Sequence, residues 1–269
     1  MRFVRRYASS LGLYVFQRIY PKTYNGVYKT FSSAENSLKK TLHYTNSREV
    51  FENYNKIPVD YNTFNEKYLK EAERYSIQRF NFLPTFLAGF SQKNIKILDI
   101  GSGWSNTQEL LKASQVQQKI HVINYDLPEY YTIAKENPKG LPNLNFVEKI
   151  TDPKKIDIAY FGSSISYIND WKSILKTCKT LKPEFIVVTD TTFTAGKTFC
   201  TLQKNVTGRD IPKWIFSESE FSKFLNTLGF IKQLETNSYS PPWNLKGNRI
   251  NFELKQKNLI YRRIAKNKT

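Results

Sequence analysis

Histidine and cysteine are nearly absent from this chain of 269 residues, which has two of each. His43 and His121 are too few for a histidine-rich metal site, so no metal is expected. Cys178 and Cys200 give neither a disulfide framework nor a C-x-x-C knuckle, and a reducing cytoplasm is the expected compartment. Long apolar runs are also missing. The stretch LGLYVF (11–16) is too short to span a bilayer. Arginines 2, 5 and 6 precede it as in a signal peptide, but QRIYPK follows at once with no small-residue cleavage site.

Positive charge is abundant. The formal net charge is +18, made up of +8 over residues 1–94, +3 over 95–183 and +7 over 184–269. Basic flanks around a nearly balanced middle suit an anionic partner, whether nucleic acid, anionic lipid or a phosphorylated substrate. Solubility alone would account for them equally well. Because the charge lies in two flanks and not in one dense run, nucleic acid is the least favoured partner.

From residue 95 short apolar runs alternate with amphipathic ones. Strands are expected at 95–100, 119–127, 143–150, 155–162 and 184–191. Helices are expected at 104–114, at 128–137 behind Pro128, after Asn169, and over 217–230, where Ser217 and Glu220 form a capping-box pattern. FIKQLET and NRINFELKQKNLIYRRI add two more strands. This order predicts an α/β, doubly wound, mostly parallel seven-stranded sheet. Residues 1–92 lack the alternation and read as a helical N-terminal cap, with 63–90 its clearest helix. Residues 93–269 form the core, with a long insertion at 191–216.

The first strand stops at Asp99-Ile-Gly101-Ser102-Gly103. Glycines at a strand's carboxyl end let backbone approach a ligand closely. Asp126, ending the second strand, can accept hydrogen bonds from ribose hydroxyls. A dinucleotide fingerprint would need glycine where Asn106 stands. Gly196-Lys197-Thr198 imitates a P-loop, but Thr191 occupies its first glycine position and no helix pattern follows. An acidic-x-G-x-G turn with a later acid fits S-adenosylmethionine.

At these residues the chain resembles class I methyltransferases. More narrowly, it is similar to a methyltransferase family encoded among bacterial surface-polysaccharide genes. That likeness runs through NGVYKTFSSAENS (25–37), HYTNSREVFENY (43–54), ILDIGSGWS (97–105), FGSSISYINDW (161–171) and PKWIFSESEF (212–221). Two departures stand out. A further glycine near Trp104 is missing, and Asp190-Thr191-Thr192 stands where relatives often carry arginine. The resemblance implies S-adenosylmethionine as cofactor, with Asp99, Gly101, Ser102, Gly103, Asp126, Leu127, Asp152 and Ser163 around it. It implies O-methylation of a glycan or lipid-linked glycan precursor.

A hydroxyl acceptor calls for a base. Asp190 and Tyr167 are the catalytic candidates, because both follow strands of the sheet. Ser164 and Asp170 are further polar groups on the same rim. His121 reads as structural, and His43 could act only if its segment folded over the site. Within the insertion, Lys197, Lys204 and Arg209 suit an acidic or phosphorylated acceptor, and Trp214 suits a sugar ring. The basic amphipathic start, MRFVRRYASSLGLYVFQRIYPK, could lie on the inner membrane surface or pack on the core. Alternatives from other classes are a non-catalytic S-adenosylmethionine-binding protein and a nucleic-acid methyltransferase. FGSS after the fourth strand, in place of an N-P-P-Y-type motif, weighs against the latter.

Overall fold

The computed structural model describes residues 24–38, 77–101, 107, 111, 114, 116–136, 145–204, 210–238 and 253–264. In chain order these form strand β1 (Tyr24–Tyr28), helix α1 (Phe31–Asn36), α2 (Ile77–Ala88), β2 (Asn94–Ile100), β3 (Lys119–Tyr125) and α3 (Pro128–Glu136). Next come β4 (Ile158–Gly162), a 3-10 turn (Ile165–Tyr167), α4 (Trp171–Thr180) and β5 (Phe185–Thr194). Then follow β6 (Phe199–Lys204), β7 (Asp210–Ser217), α5 (Glu218–Thr227), β8 (Phe230–Asn237) and β9 (Leu254–Arg263).

Strands β3, β2, β4 and β5 pair in parallel, in that order, and form the centre. IAYFG of β4 and FIVV at the start of β5 are continuously apolar, as strands covered on both faces must be, whereas β2 and β3 begin with exposed Asn94, Lys96, Lys119 and His121 alternating with buried residues. On β2 the period of two sends Ile95 and Ile97 to one face and Leu98 and Ile100 to the other. The first pair packs with Leu83 and Leu87 of α2. The second packs with Phe161, with Trp171 and Leu175 of α4, and with Phe221 and Leu225 of α5. Two cores on opposite faces are what make the sheet doubly wound.

The sheet differs from the expectation in three ways. Among the described residues it has nine strands and is mixed. Beyond β5 the order continues with antiparallel β9 and then β8. Of the strand expected at 143–150, the described residues 145–150 hold one parallel bridge, Asn124↔Phe146. Lys149 N is held by Asp152 Oδ2 at 2.8 Å, so the chain turns there and does not extend the pairing. Finally, the 191–216 insertion is not an open loop. Its start prolongs β5, and the rest is the β6–β7 hairpin, to which β1 adds on the outer edge. Residues 24–28, expected to belong to a helical cap, are therefore part of the sheet. The remainder of the cap outside 24–38 and 77–92, including residues 1–20 and the 63–76 part of the expected long helix, lies outside the described residues.

Two helix caps are also corrected. Asp170, not Asn169, caps α4 by accepting from Ser173 N at 3.1 Å. Ser217 does stand at the start of α5, but no capping box forms. Its hydroxyl pairs with Ser219 Oγ at 3.1 Å, and Glu220 turns to accept from Thr198 N at 3.2 Å. No helix among the described residues is long and apolar enough to cross a membrane.

Candidate functional site

The carboxyl ends of β2, β3, β4 and β5 meet along one edge. Asp99, one residue before the end of β2, is buried and accepts from Thr107 Oγ1 at 2.6 Å. Burial lifts its carboxyl to about 7, the Thr107 hydrogen bond opposes that, and the nearby Asp126 charge adds to it. Asp99 and Asp126 thus share one electrostatic environment across β2 and β3. Asp126 is half-buried, takes Leu127 N at 2.7 Å on Oδ1, and is followed by an exposed Leu127.

Gly101 has a φ of +71 and donates its N–H to Tyr125 O at 2.8 Å. A Cβ there would stand 2.6 Å from Ser164 Cβ. Glycine is needed twice over, for the left-handed turn and for the close approach of β4. Ser164 in turn donates to Ile100 O, stitching the ends of β2 and β4 together. Ser102 and Gly103 lie outside the described residues.

Asp190 sits in a β-bulge. Between the pairs Val188↔Leu259 and Thr191↔Lys257, two residues of β5 face the single Asn258 of β9. This bends β5 just where its pairing with β4 ends at Gly162↔Thr189. The Asp190 carboxylate accepts from Ser163 Oγ at 2.7 Å, from Ser238 Oγ at 3.1 Å and from Gln256 Nε2. Tyr167, on the 3-10 turn after β4, donates to Gln203 Oε1 at 2.7 Å. Asp190, Ser163 and Tyr167 therefore do gather on one rim.

The other expected residues do not join them. Asp152 closes a tight turn by accepting from Lys149 N at 2.8 Å. Asp170 is spent on the α4 cap. Lys197 is exposed at the start of the hairpin, and Lys204 is the last residue of β6, so a strand of about 20 Å separates them. Arg209 and His43 lie outside the described residues. Exposed His121 stands on β3 away from the carboxyl edge. Trp214 donates its indole N–H to Asn169 O at 3.2 Å and packs on Phe31 at 5.9 Å. It lines a groove of about 210 Å³ with Lys29, Trp171, Lys172, Thr198 and Glu220.

Lys213 was missed. In IPKWI the period of two puts it on the same face of β7 as Ile211 and Ile215, opposite Trp214. A lysine alternating with buried isoleucines was the available signal. It is 5% exposed, and its ammonium lies 5.6 Å from the Tyr24 ring and 5.3 Å from the Tyr167 ring. Each ring contributes about 0.5–2 kcal/mol, against a desolvation penalty of several kcal/mol for a buried ion. Burial alone would pull the ammonium towards neutrality, but Tyr167, Tyr24 and the Asp190 charge more than offset it and hold the group above its ordinary value.

No family model matches the chain, and no curated protein matches it. Nothing beyond its own sequence stretches thus connects it to a surface-polysaccharide family. Several solved structures are similar. A 1,6-didemethyltoxoflavin N1-methyltransferase from Burkholderia thailandensis, bound to its substrate and S-adenosylhomocysteine, is 13% identical with a TM-score of 0.47, over 83% of this chain and 93% of that one. A SAM-dependent methyltransferase from Methanosarcina mazei is 15% identical with a TM-score of 0.48, over 67% and 98%. A magnesium protoporphyrin IX methyltransferase from Synechocystis PCC 6803 with S-adenosylhomocysteine is 14% identical with a TM-score of 0.44, over 70% and 82%. Likeness at these scores carries no argument about this chain's chemistry.

Proposed function

We propose that the chain is an S-adenosylmethionine-dependent methyltransferase that O-methylates a glycan or lipid-linked glycan precursor. The observation that carries the cofactor is the pair Asp99 and Asp126 at the ends of adjacent parallel strands, flanking the left-handed Gly101. The residues fit an adenosine: Asp126 is a half-exposed carboxylate for ribose hydroxyls, exposed Leu127 offers apolar surface, and Gly101 carries no side chain over its backbone. Ser163 is a further polar neighbour, and Asp99, buried against Thr107, supports the turn from behind without facing the ligand. When bound, the cofactor supplies an already activated methyl group. The chain's own residues then need only align the acceptor, exclude water and take a proton.

For the acceptor side we assign Asp190 and Tyr167. The glycan rests on the sequence resemblance; Trp214 lies on the opposite face of β7 from Lys213, in a groove apart from Asp190 and Tyr167, and is not assigned to it. Cytoplasmic work on lipid-linked precursors at an anionic membrane face would give the basic N-terminal segment a purpose. A second reading, a binding protein without catalysis, is favoured by one observation. Asp190 already accepts from Ser163, Ser238 and Gln256, which suits a fixed structural carboxylate.

Calorimetry with S-adenosylhomocysteine tests the cofactor. Asp126→Ala removes hydrogen bonds to a charged group, worth about 1.5–3 kcal/mol, and should weaken binding about tenfold or more. Gly103→Val should block it. Unchanged affinity in both variants would sink the assignment. Methyl transfer to sugar-nucleotide or lipid-linked acceptors tests the rest. Turnover on RNA or DNA with none on glycan precursors would overturn the acceptor class, and binding without any turnover would put the second reading first.

A further inference from the structure

Among the described residues two lysines are buried, and the chain treats them differently. Lys257, 8% exposed, meets Glu218 at 2.6 Å and also Glu235. Lys213, 5% exposed, has no carboxylate within ion-pair distance among the described residues. Its one hydrogen bond there is 3.5 Å long, to Tyr24 Oη, and the faces of Tyr24 and Tyr167 are its other support. A buried ammonium carries three donors, so this one is under-used.

Its surroundings are not closed. Tyr167, Gln203, Asp190 and Ser163 are each half-buried, so polar side chains that still reach solvent surround a charged floor. The Asp190 charge acts on Lys213 from beyond contact distance, and three donors fix that carboxylate where it is. Gln203 accepts from Tyr167 through Oε1, which leaves its amide N–H groups as donors towards a ligand.

We propose that Lys213, with Gln203 beside it, is an anion-recognition site that takes a carboxylate or phosphate group of the methyl acceptor. The word acceptor rests on the methyl-transfer reading above, whereas the anion site does not. With the anion on Lys213, a neighbouring hydroxyl of the same molecule turns towards Asp190 and Ser163, at the strand edge that holds Gly101. Asp190 repels a second anion, so the site orients its ligand as well as holding it. The expected acceptor is therefore an acidic or phosphorylated sugar, and a neutral one is disfavoured.

Calorimetry on the full chain with glucose 1-phosphate, glucuronate and glucose tests this, with S-adenosylhomocysteine titrated in parallel. At least one anionic sugar should bind tenfold or more tightly than glucose, and which one does separates phosphate from carboxylate. Lys213→Met should lose that preference while Lys213→Arg keeps most of it. Gln203→Glu places a negative charge on the half-exposed rim and still accepts from Tyr167. It should weaken the anionic sugar tenfold or more, which decides the matter if Lys213→Met fails to fold. Equal binding of all three sugars, or a folded Lys213→Met or Gln203→Glu that keeps the preference, overturns the site. Loss of S-adenosylhomocysteine binding in the unaltered chain, with the anion preference intact, would remove only the methyl-transfer reading.

Discussion

Ser163 Oγ donates to Asp190 Oδ2 at 2.7 Å, and both residues hold left-handed backbone, with φ of 63° and 52°. Neither is glycine, so each conformation costs about 1–3 kcal/mol. The neighbouring hydrogen bonds keep them there: Ser163 N donates to Thr189 O at 3.0 Å, and Asp190 N donates to Asn258 Oδ1 at 2.9 Å. Two of the four left-handed non-glycine residues among the described ones, the others being Lys154 and Lys182, thus stand where β4 and β5 part, beside Gly101 and Ser164. Lys154 and Lys182 hold the same conformation in turns elsewhere; what marks Ser163 and Asp190 is that they are bonded to each other at the carboxyl edge of the parallel sheet.

Replacing Ser163 separates the strain from the hydrogen bond. Both Ser163→Ala and Ser163→Gly lose the bond to Asp190, which costs about 1.5–3 kcal/mol for a charged acceptor. Alanine keeps the left-handed penalty, and glycine is relieved of it. Ser163→Gly should therefore be the more stable of the two by roughly 1 kcal/mol, the reverse of the usual order. Urea midpoints measure the difference, and equal stability would mean that the turn stores no strain.

The parallel centre was legible because short apolar runs such as ILDI, IAYF and FIVV recur between amphipathic stretches and are punctuated by Gly101, Pro128, Pro183 and Gly229. The glycine turn and the two acids at strand ends were legible for the same local reasons. What sequence could not show was long-range pairing. The Asn124↔Phe146 bridge and the partnership of β1 with β6 depend on tertiary contacts that no local pattern encodes. The 191–216 segment reads as a loop because Gly196 and Lys197 interrupt it and because neither FCTLQK nor DIPKWIFS alternates polar with apolar residues; only the pairing of Phe199–Lys204 with Asp210–Ser217 makes them strands. Lys197 and Lys204 are near each other in sequence but held apart by β6, whereas Lys213, two residues from Ile211 and from Ile215, is buried by the period of two.

Asp99 should make the protein less stable as pH rises. Its folded carboxyl titrates at about 7, against an ordinary 3.8. The native state therefore holds the proton more tightly than the unfolded chain. Stability is unpenalised below about pH 4, declines between 4 and 7, and levels off above. The penalty on the high side is as much as about 4 kcal/mol, at 1.36 kcal/mol per unit. Asp99→Asn keeps an acceptor for Thr107 and removes the charge. Its advantage over the unaltered protein should grow from nothing near pH 4 to its full size near pH 8 in thermal unfolding. A difference that does not change with pH would show that Asp99 is not the titrating group.

Two lysines and two glutamates bind the start of α5 to β8 and β9. Lys232 Nζ lies 2.8 Å from Glu218 and 2.5 Å from Glu235, and Lys257 Nζ lies 2.6 Å from Glu218 and also contacts Glu235. Partial burial would raise the Glu235 carboxyl, but the two ammonium groups win and hold it at about 2. A depressed carboxyl contributes stability above about pH 4.5 and loses it as pH falls through 2. Glu235 is about one-third exposed, so solvent screening reduces the contribution, and Glu235→Gln should cost about 1–2 kcal/mol at pH 7. That cost should vanish near pH 2. Lys257→Met should cost more than Lys232→Met, because it leaves both glutamates facing each other around a 10% exposed position. The double variant Lys257→Met with Glu235→Gln should cost less than the sum of the two, by about 1 kcal/mol or more. Additive costs in that cycle would mean that the four charges act as separate, screened surface groups and not as a closed ring.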